Sequence, residues 1–233
     1  MILIHGAGGT NLFWPSEIRR LPGYRVHAPD LPGHGKSDGR GQQSIRAYAE
    51  ELVEWLAAIR LHSAIFVGHS MGGAIALTLA LDFPEHVLGV GLVASGARLR
   101  VAPAILESAA NPTTFHNAVE MVIANAFSPA VSPRLAELAS QRMIETRPSV
   151  LHGDFLACDA FDETERIAQI HQPALIICGA DDKLTPLRYS QFLADTLPNA
   201  SYKTIPNAGH MVMLEQPQAV ASALTAFLPA IYY

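Results

Sequence analysis

A serine between glycines, two adjacent aspartates and a late histidine are the residues of this chain whose types and order suit acyl transfer. Ser70 lies in Gly68-His69-Ser70-Met71-Gly72-Gly73, a G-x-S-x-G pattern between the apolar run Ala64 to Val67 and a helix-like apolar pattern that starts at Gly72. A serine hydroxyl is a weak nucleophile at neutral pH. It needs a base to take its proton and donors for the oxyanion that forms when it attacks a carbonyl. A strand-to-helix turn can serve both needs. Its glycines permit a sharp bend, the serine is held out in a strained conformation, and the Met71 N–H points into the same space with the positive end of the helix dipole. Read alone, the six residues leave open a glycine-rich turn with an idle serine as the lesser alternative.

Two later segments supply partners. The run "LIICGADDKLTP" leads from an apolar stretch into a loop carrying Asp181 and Asp182, and "IPNAGHMVMLEQP" places His210 in a loop preceded by glycine. Loops that leave the ends of parallel strands share one edge of a sheet, so serine, aspartate and histidine can converge there. In such a grouping Ser70 is the nucleophile, His210 the general base, and one of the two aspartates orients the imidazole.

The elements that must carry these loops are legible as alternating patterns. Short apolar runs at Ile2 to Ile4, Tyr24 to His27, Ala64 to Val67, Val87 to Val93 and Ala174 to Cys178, with "SYKTI" ending at Ile205, read as strands. Helical spacing recurs in "SIRAYAEELVEWLAAI", "GGAIALTLALDF", "PLRYSQFLADTL" and "EQPQAVASALTAFL". Strands alternating with helices predict an α/β fold, a mostly parallel sheet with helices on both faces. Residues 98–167 break the rhythm: no strand is evident, and "AVEMVIANAF", "RLAELASQRMIE" and "VLHGDFLACDAFDETERIAQI" read as helices. That segment is either a lid or ordinary packing helices. The expectation is one domain, 1–233, with a helical insertion at 98–167.

Composition narrows the classes. Of 233 residues 49% are hydrophobic and only 16% charged, against about 25% charged in ordinary soluble chains, which calls for a large core or an apolar pocket. The net charge of -5 comes without a run of Lys or Arg, which favours neither nucleic acid nor an anionic membrane as partner. No apolar stretch reaches the roughly 18 residues of a membrane helix, and "MILIHGAGG" lacks the pattern of a signal peptide. A cytoplasmic protein without membrane insertion is the expectation. Cys158 and Cys178 show no ligand or disulfide spacing and read as reduced thiols. "DLPGHGKS" lacks the spacing of a nucleotide loop and the histidines lack metal-ligand spacing, so neither cofactor nor metal is expected.

Five segments, "HGAGG", "DLPGHGKS", "GHSMGG", "GADDKLTP" and "AGHMVMLEQP", resemble in type and order the recurrent motifs of the α/β-hydrolase superfamily, especially its small esterases. The resemblance runs nearly end to end. It implies Ser70 as nucleophile, His210 as base and Asp182 as acid, the last through its spacing from Gly179 and Pro186; Asp181 is the competitor. It also implies that His5 to Gly9 form the oxyanion loop, with the Ala7 N–H beside that of Met71 and Gly8 as substitute if the loop is shifted by one residue. In such proteins residues like His5, His34 and His69 brace loops. A serine rather than an aspartate at position 70 sets aside dehalogenase and epoxide-hydrolase chemistry.

The implied reaction is hydrolysis of small carboxylic esters through an acyl-enzyme. Lactones, thioesters and ring-cleavage diketones are alternatives on the same triad, and a non-catalytic ligand-binding role is the alternative of another class. Candidate pocket walls are Phe13, Trp14, Met121, Ile123, Phe127, Met143, Phe155 and Phe161. Small members of the superfamily carry two strands ahead of the "HG" strand, which Met1 opens here. The sheet is therefore expected without them, with Tyr24 to Ala28 as an edge that a second copy of the chain could pair with.

Overall fold

Four short apolar runs, largely buried on both faces, and the more exposed run ending at Ile205 pair side by side, because strand N–H and C=O groups find their partners on neighbouring strands. In the computed structural model, which describes residues 1–231, they are β1 (Ile2–Ile4), β2 (Ala64–His69), β3 (Val87–Val93), β4 (Ala174–Gly179) and β5 (Ala200–Ile205). The sheet is wholly parallel, in the order β1-β2-β3-β4-β5. The helices are α1 (Ser16–Arg19), α2 (Ile45–Ala58), α3 (Met71–Asp82), α4 (Pro103–Ala110), α5 (Phe115–Ala126), α6 (Pro133–Ile144), α7 (Pro148–Ala160), α8 (Leu187–Thr196), α9 (Val212–Glu215) and α10 (Pro217–Phe227).

Alternation along the strands divides the core in two. Ile2, Ile4, Phe66, Val90, Leu92 and Ile176 pack with α2, α3 and α8, whereas Leu3, Ile65, Val67, Leu175 and Ile177 pack with Ile18 of α1 and Val220 and Leu224 of α10. α3 is buried along almost its whole length, as its uniformly apolar sequence demands.

Three expectations are corrected. Tyr24 to His27 forms no strand, only a single parallel bridge from His27 to Ile2. The Met1 amine donates to the Arg25 carbonyl, the His27 N–H to Met1 O, and the Leu3 N–H to His27 O. The next donor in that register would come from Pro29, which has no N–H, so the ladder stops. The pattern from Val150 to Ile170 is not one helix: α7 ends at Ala160, and Asp162 accepts from the Thr164 N–H and hydroxyl in an Asx-type turn. "EQPQAVASALTAFL" is divided at Pro217, which opens α10. The segment 98–167 also contains α4, which sequence periodicity did not indicate, and its base is joined by a bridge between Arg98 and Asp162. α4, α5, α6 and α7 enclose their own small core of Phe115, Val119, Val122, Met143, Leu151 and Phe155.

α3 approaches the sheet so closely that side chains are excluded. A Cβ on Gly68 would meet the backbone of Gly72 and Gly73, and one on Gly72 would meet the carbonyls of Ile4 and His5. Gly68→Ala should therefore destabilise by about 3 kcal/mol, lowering Tm by roughly 6–12 °C in a thermal melt. An unchanged Tm would show that α3 can move away without loss.

Candidate active site

Ser70 sits between β2 and α3 with φ 51° and ψ −116°. A positive φ is strained for a residue with a side chain, and the surroundings hold it there. The Ser70 N–H donates to Val93 O at 2.9 Å, and its carbonyl accepts from the Ser95 hydroxyl at 2.8 Å and from the Gly73 N–H at 2.9 Å. The strained turn predicted from the glycines is present, and the hydroxyl opens on a cavity shared with His210 and Ala7.

His210 follows β5 in a loop and is buried. Its Nδ1 lies 3.0 Å from Asp182 Oδ2. The other Asp182 oxygen accepts the N–H groups of Leu184 and Thr185, each at 2.9 Å, and the Thr185 hydroxyl lies 2.8 Å from Oδ2 and 3.1 Å from His210 Nδ1. Burial alone would raise the Asp182 carboxyl, but the charge and hydrogen bond of His210 and the Thr185 donors outweigh it and hold it below the ordinary value. Asp181, the competitor, faces elsewhere and accepts the Ser128 hydroxyl at 2.6 Å.

His69 lies against His210 with ring centroids 4.8 Å apart, and its Nε2 is 3.0 Å from the His210 carbonyl. Burial first, then repulsion from His210, lowers its pKa to about 3. A neutral His69 adds no second positive charge beside His210. His5 accepts the Leu31 N–H at Nε2, and His34 reaches Asp154. None of the three hydrogen-bonds to Ser70.

The loop after β1 runs directly over Ser70. A Cβ on Gly6 would lie 2.8 Å from His69 Nδ1 and 3.2 Å from Ser70 Cβ. Ala7 lines the cavity, and Met71 opens α3 with its side chain fully buried in the core, leaving only its backbone for the site. Gly8 is excluded as substitute donor, because its N–H is taken by Asp154 Oδ2 at 2.8 Å.

The cavity over these groups has a volume of about 280 Å³. Phe13, Ile123, Met143 and Phe155 line it as expected; Trp14, Met121, Phe127 and Phe161 do not. Trp14 and Phe127 are in the core beneath the α10 face, Phe161 packs on the α2 and α3 side, and Met121 falls off the inward face of α5 marked by Phe115, Val119 and Val122. Leu99, Val101, Ile105, Val122 and Leu184 complete the apolar wall, with exposed Arg100 and Lys183 at the rim. Sequence reasoning also missed Thr185 and Asp154. Asp154 carried one signal, an acid set directly before the apolar Phe155-Leu156-Ala157-Cys158 of α7.

A family model described as the alpha/beta hydrolase fold matches residues 1–217, and the chain belongs to that family. The putative carbamate hydrolase RutD of Pseudomonas syringae pv. syringae (strain B728a) is 29% identical, over 98% of this chain and 93% of that one. The pimeloyl-[acyl-carrier protein] methyl ester esterase of Pectobacterium carotovorum subsp. carotovorum (strain PC1) is 28% identical, over 99% of this chain and 94% of that one. A solved structure of a thermophilic esterase, 37% identical, superposes with a TM-score of 0.87 over 99% of this chain and 89% of that one.

The buried histidines make stability pH-dependent. Burial, with repulsion from His34, lowers His5 to about 4, and His69 is at about 3. Unfolded histidine binds a proton near pH 6.5, so below that pH the unfolded chain holds more protons than the native one. This stability is whole above about pH 6.5 and declines as pH falls toward 4, by up to ~1.4 kcal/mol per pH unit for each histidine. Thermal melts from pH 7.5 to 4.5 should show Tm falling below pH 6.5, with a shallower fall in His69→Gln. A flat Tm across the window would contradict the neutral assignment.

Proposed function

We propose that the chain is a serine hydrolase of small carboxylic esters that works through an acyl-enzyme. The observation that carries this reading is the Asp182–His210 contact at 3.0 Å, with His210 and Ser70 lining one largely apolar cavity. With Nδ1–H donated to Asp182, His210 keeps Nε2 as the acceptor for the Ser70 proton. Ser70 attacks the ester carbonyl, and the N–H groups of Ala7 and Met71 take the oxyanion. His210 returns the proton to the departing alcohol. A water activated by the same imidazole then releases the acid. Asp182 fixes the ring and stabilises its charged form.

Residues 98–167 act as the lid of this site: Met143 and Phe155 enter its wall from α6 and α7, and Phe13 comes from the segment after β1. The small apolar volume suits a short acyl chain. The two free buried thiols, Cys158 and Cys178, accord with a cytoplasmic setting.

Hydrolysis of short-acyl p-nitrophenyl esters, with labelling by a fluorophosphonate, tests the reading. Lactones, thioesters and a ring-cleavage diketone belong in the same panel. Ser70→Ala should abolish labelling and lower turnover roughly a million-fold. Asp182→Asn should lower it about 10⁴-fold, with Asp181→Asn within about tenfold of wild type. Wild-type protein that neither labels nor cleaves any ester would sink the proposal, and a larger loss at Asp181 would reassign the acid.

A further inference from the structure

Asp154 is a carboxylate of α7 with 0% of its surface exposed. One oxygen accepts the Gly8 N–H at 2.8 Å and lies 2.8 Å from His34 Nε2; the other accepts the Tyr48 hydroxyl at 2.6 Å. Thr146, between α6 and α7, donates its hydroxyl to the Gly8 carbonyl at 3.0 Å. Both backbone polar groups of Gly8 are thus held from the inserted helical segment. Gly8 has φ +60° and lies under Leu151 and Met143 with no room for a side chain.

The Gly8 N–H belongs to the same rigid peptide plane as the Ala7 carbonyl, and a residue has only two soft dihedrals. Holding that plane fixes one side of Ala7, while Gly6, pressed against His69 and Ser70, confines the other. A buried carboxylate is expensive unless its oxygens are paired, and here both are. What it supplies that an apolar side chain of equal size could not is a fixed acceptor for the Gly8 N–H.

We propose that Asp154 is a positioning residue for the oxyanion site: from the lid it holds Gly8 so that the neighbouring Ala7 amide stays aimed at the space above Ser70. This rests on the reading of Ala7 as an oxyanion donor in an esterase. Docking of α7 and competence for attack then become one condition. The contact matters where the oxyanion exists, in the transition state, so its loss falls on kcat rather than KM.

The test compares wild type with Asp154→Leu, Thr146→Val and Tyr48→Phe by p-nitrophenyl ester kinetics, fluorophosphonate labelling rate and Tm. The first two variants remove groups that hydrogen-bond Gly8; the third removes a bond to the other Asp154 oxygen. Asp154→Leu should lower kcat and labelling rate about 10- to 100-fold with KM within about twofold, and Thr146→Val, close in shape to the original, about threefold or more. Tyr48→Phe should lower Tm and hold kcat within about twofold of wild type. If Asp154→Leu does not fold, Thr146→Val decides. Unchanged kcat in the folded Gly8-touching variants, or an equal fall in Tyr48→Phe, overturns the proposal while wild-type turnover leaves the esterase reading intact. A wild type without ester turnover overturns both.

Discussion

The contact between the start of α3 and the backbones of β1 and β2 governs the rest of the molecule. Where Gly68 and Gly72 lie against carbonyls and amides with no side chain between them, the chain can pass from strand to helix only through a sharp turn, and Ser70 occupies its apex at φ 51°. The strain is contained by hydrogen bonds to Val93 and Ser95, which belong to the neighbouring strand and the turn after it. Rigid surroundings of this kind are what allow a strained residue to persist at a reacting centre. The same contact sets the origin of the α3 dipole beside the serine and brings the loop after β1 overhead.

Electrostatics around His210 follow from burial. Asp182 is satisfied by the imidazole and three further donors, which keeps it ionised despite its low exposure. His69, tilted against the same ring, is too desolvated to compete for a proton. A half-buried acid secures the histidine loop: Glu215 accepts the Gly209 N–H and the Ser128 N–H, each at 2.8 Å. Ser128 lies in the connection from α5 to α6, so the helices of 98–167 brace the loop of His210 through Glu215 as they brace the loop over Ser70 through Asp154.

What the sequence made legible was whatever short spacing encodes. The turn around Ser70, the alternation of strands and helices, and the preference for Asp182 over Asp181 all depend on a few neighbouring residues. Contacts between distant segments were not legible. Nothing near Asp154 reveals that it meets Gly8 across the fold, and Trp14 and Phe155 look alike as large apolar residues although one is core and the other wall. The absent strand at Tyr24 to His27 had a local cause in Pro29, but it acts only once β1 has fixed the hydrogen-bond register. Helix α4 escaped notice because its few apolar residues make too short a run to display a period.

Gly8 also bears on when order is acquired. Its N–H and carbonyl both find partners within the protein, so neither depends on a bound molecule or on solvent to settle it. The conformational entropy of that stretch of loop is given up as the chain folds, long before any ester arrives. A flexible loop would have to be frozen at each encounter, with part of the binding free energy consumed in doing so. Preorganisation here is a property of the folded state, and affinity for the reacting group is left undiminished by it.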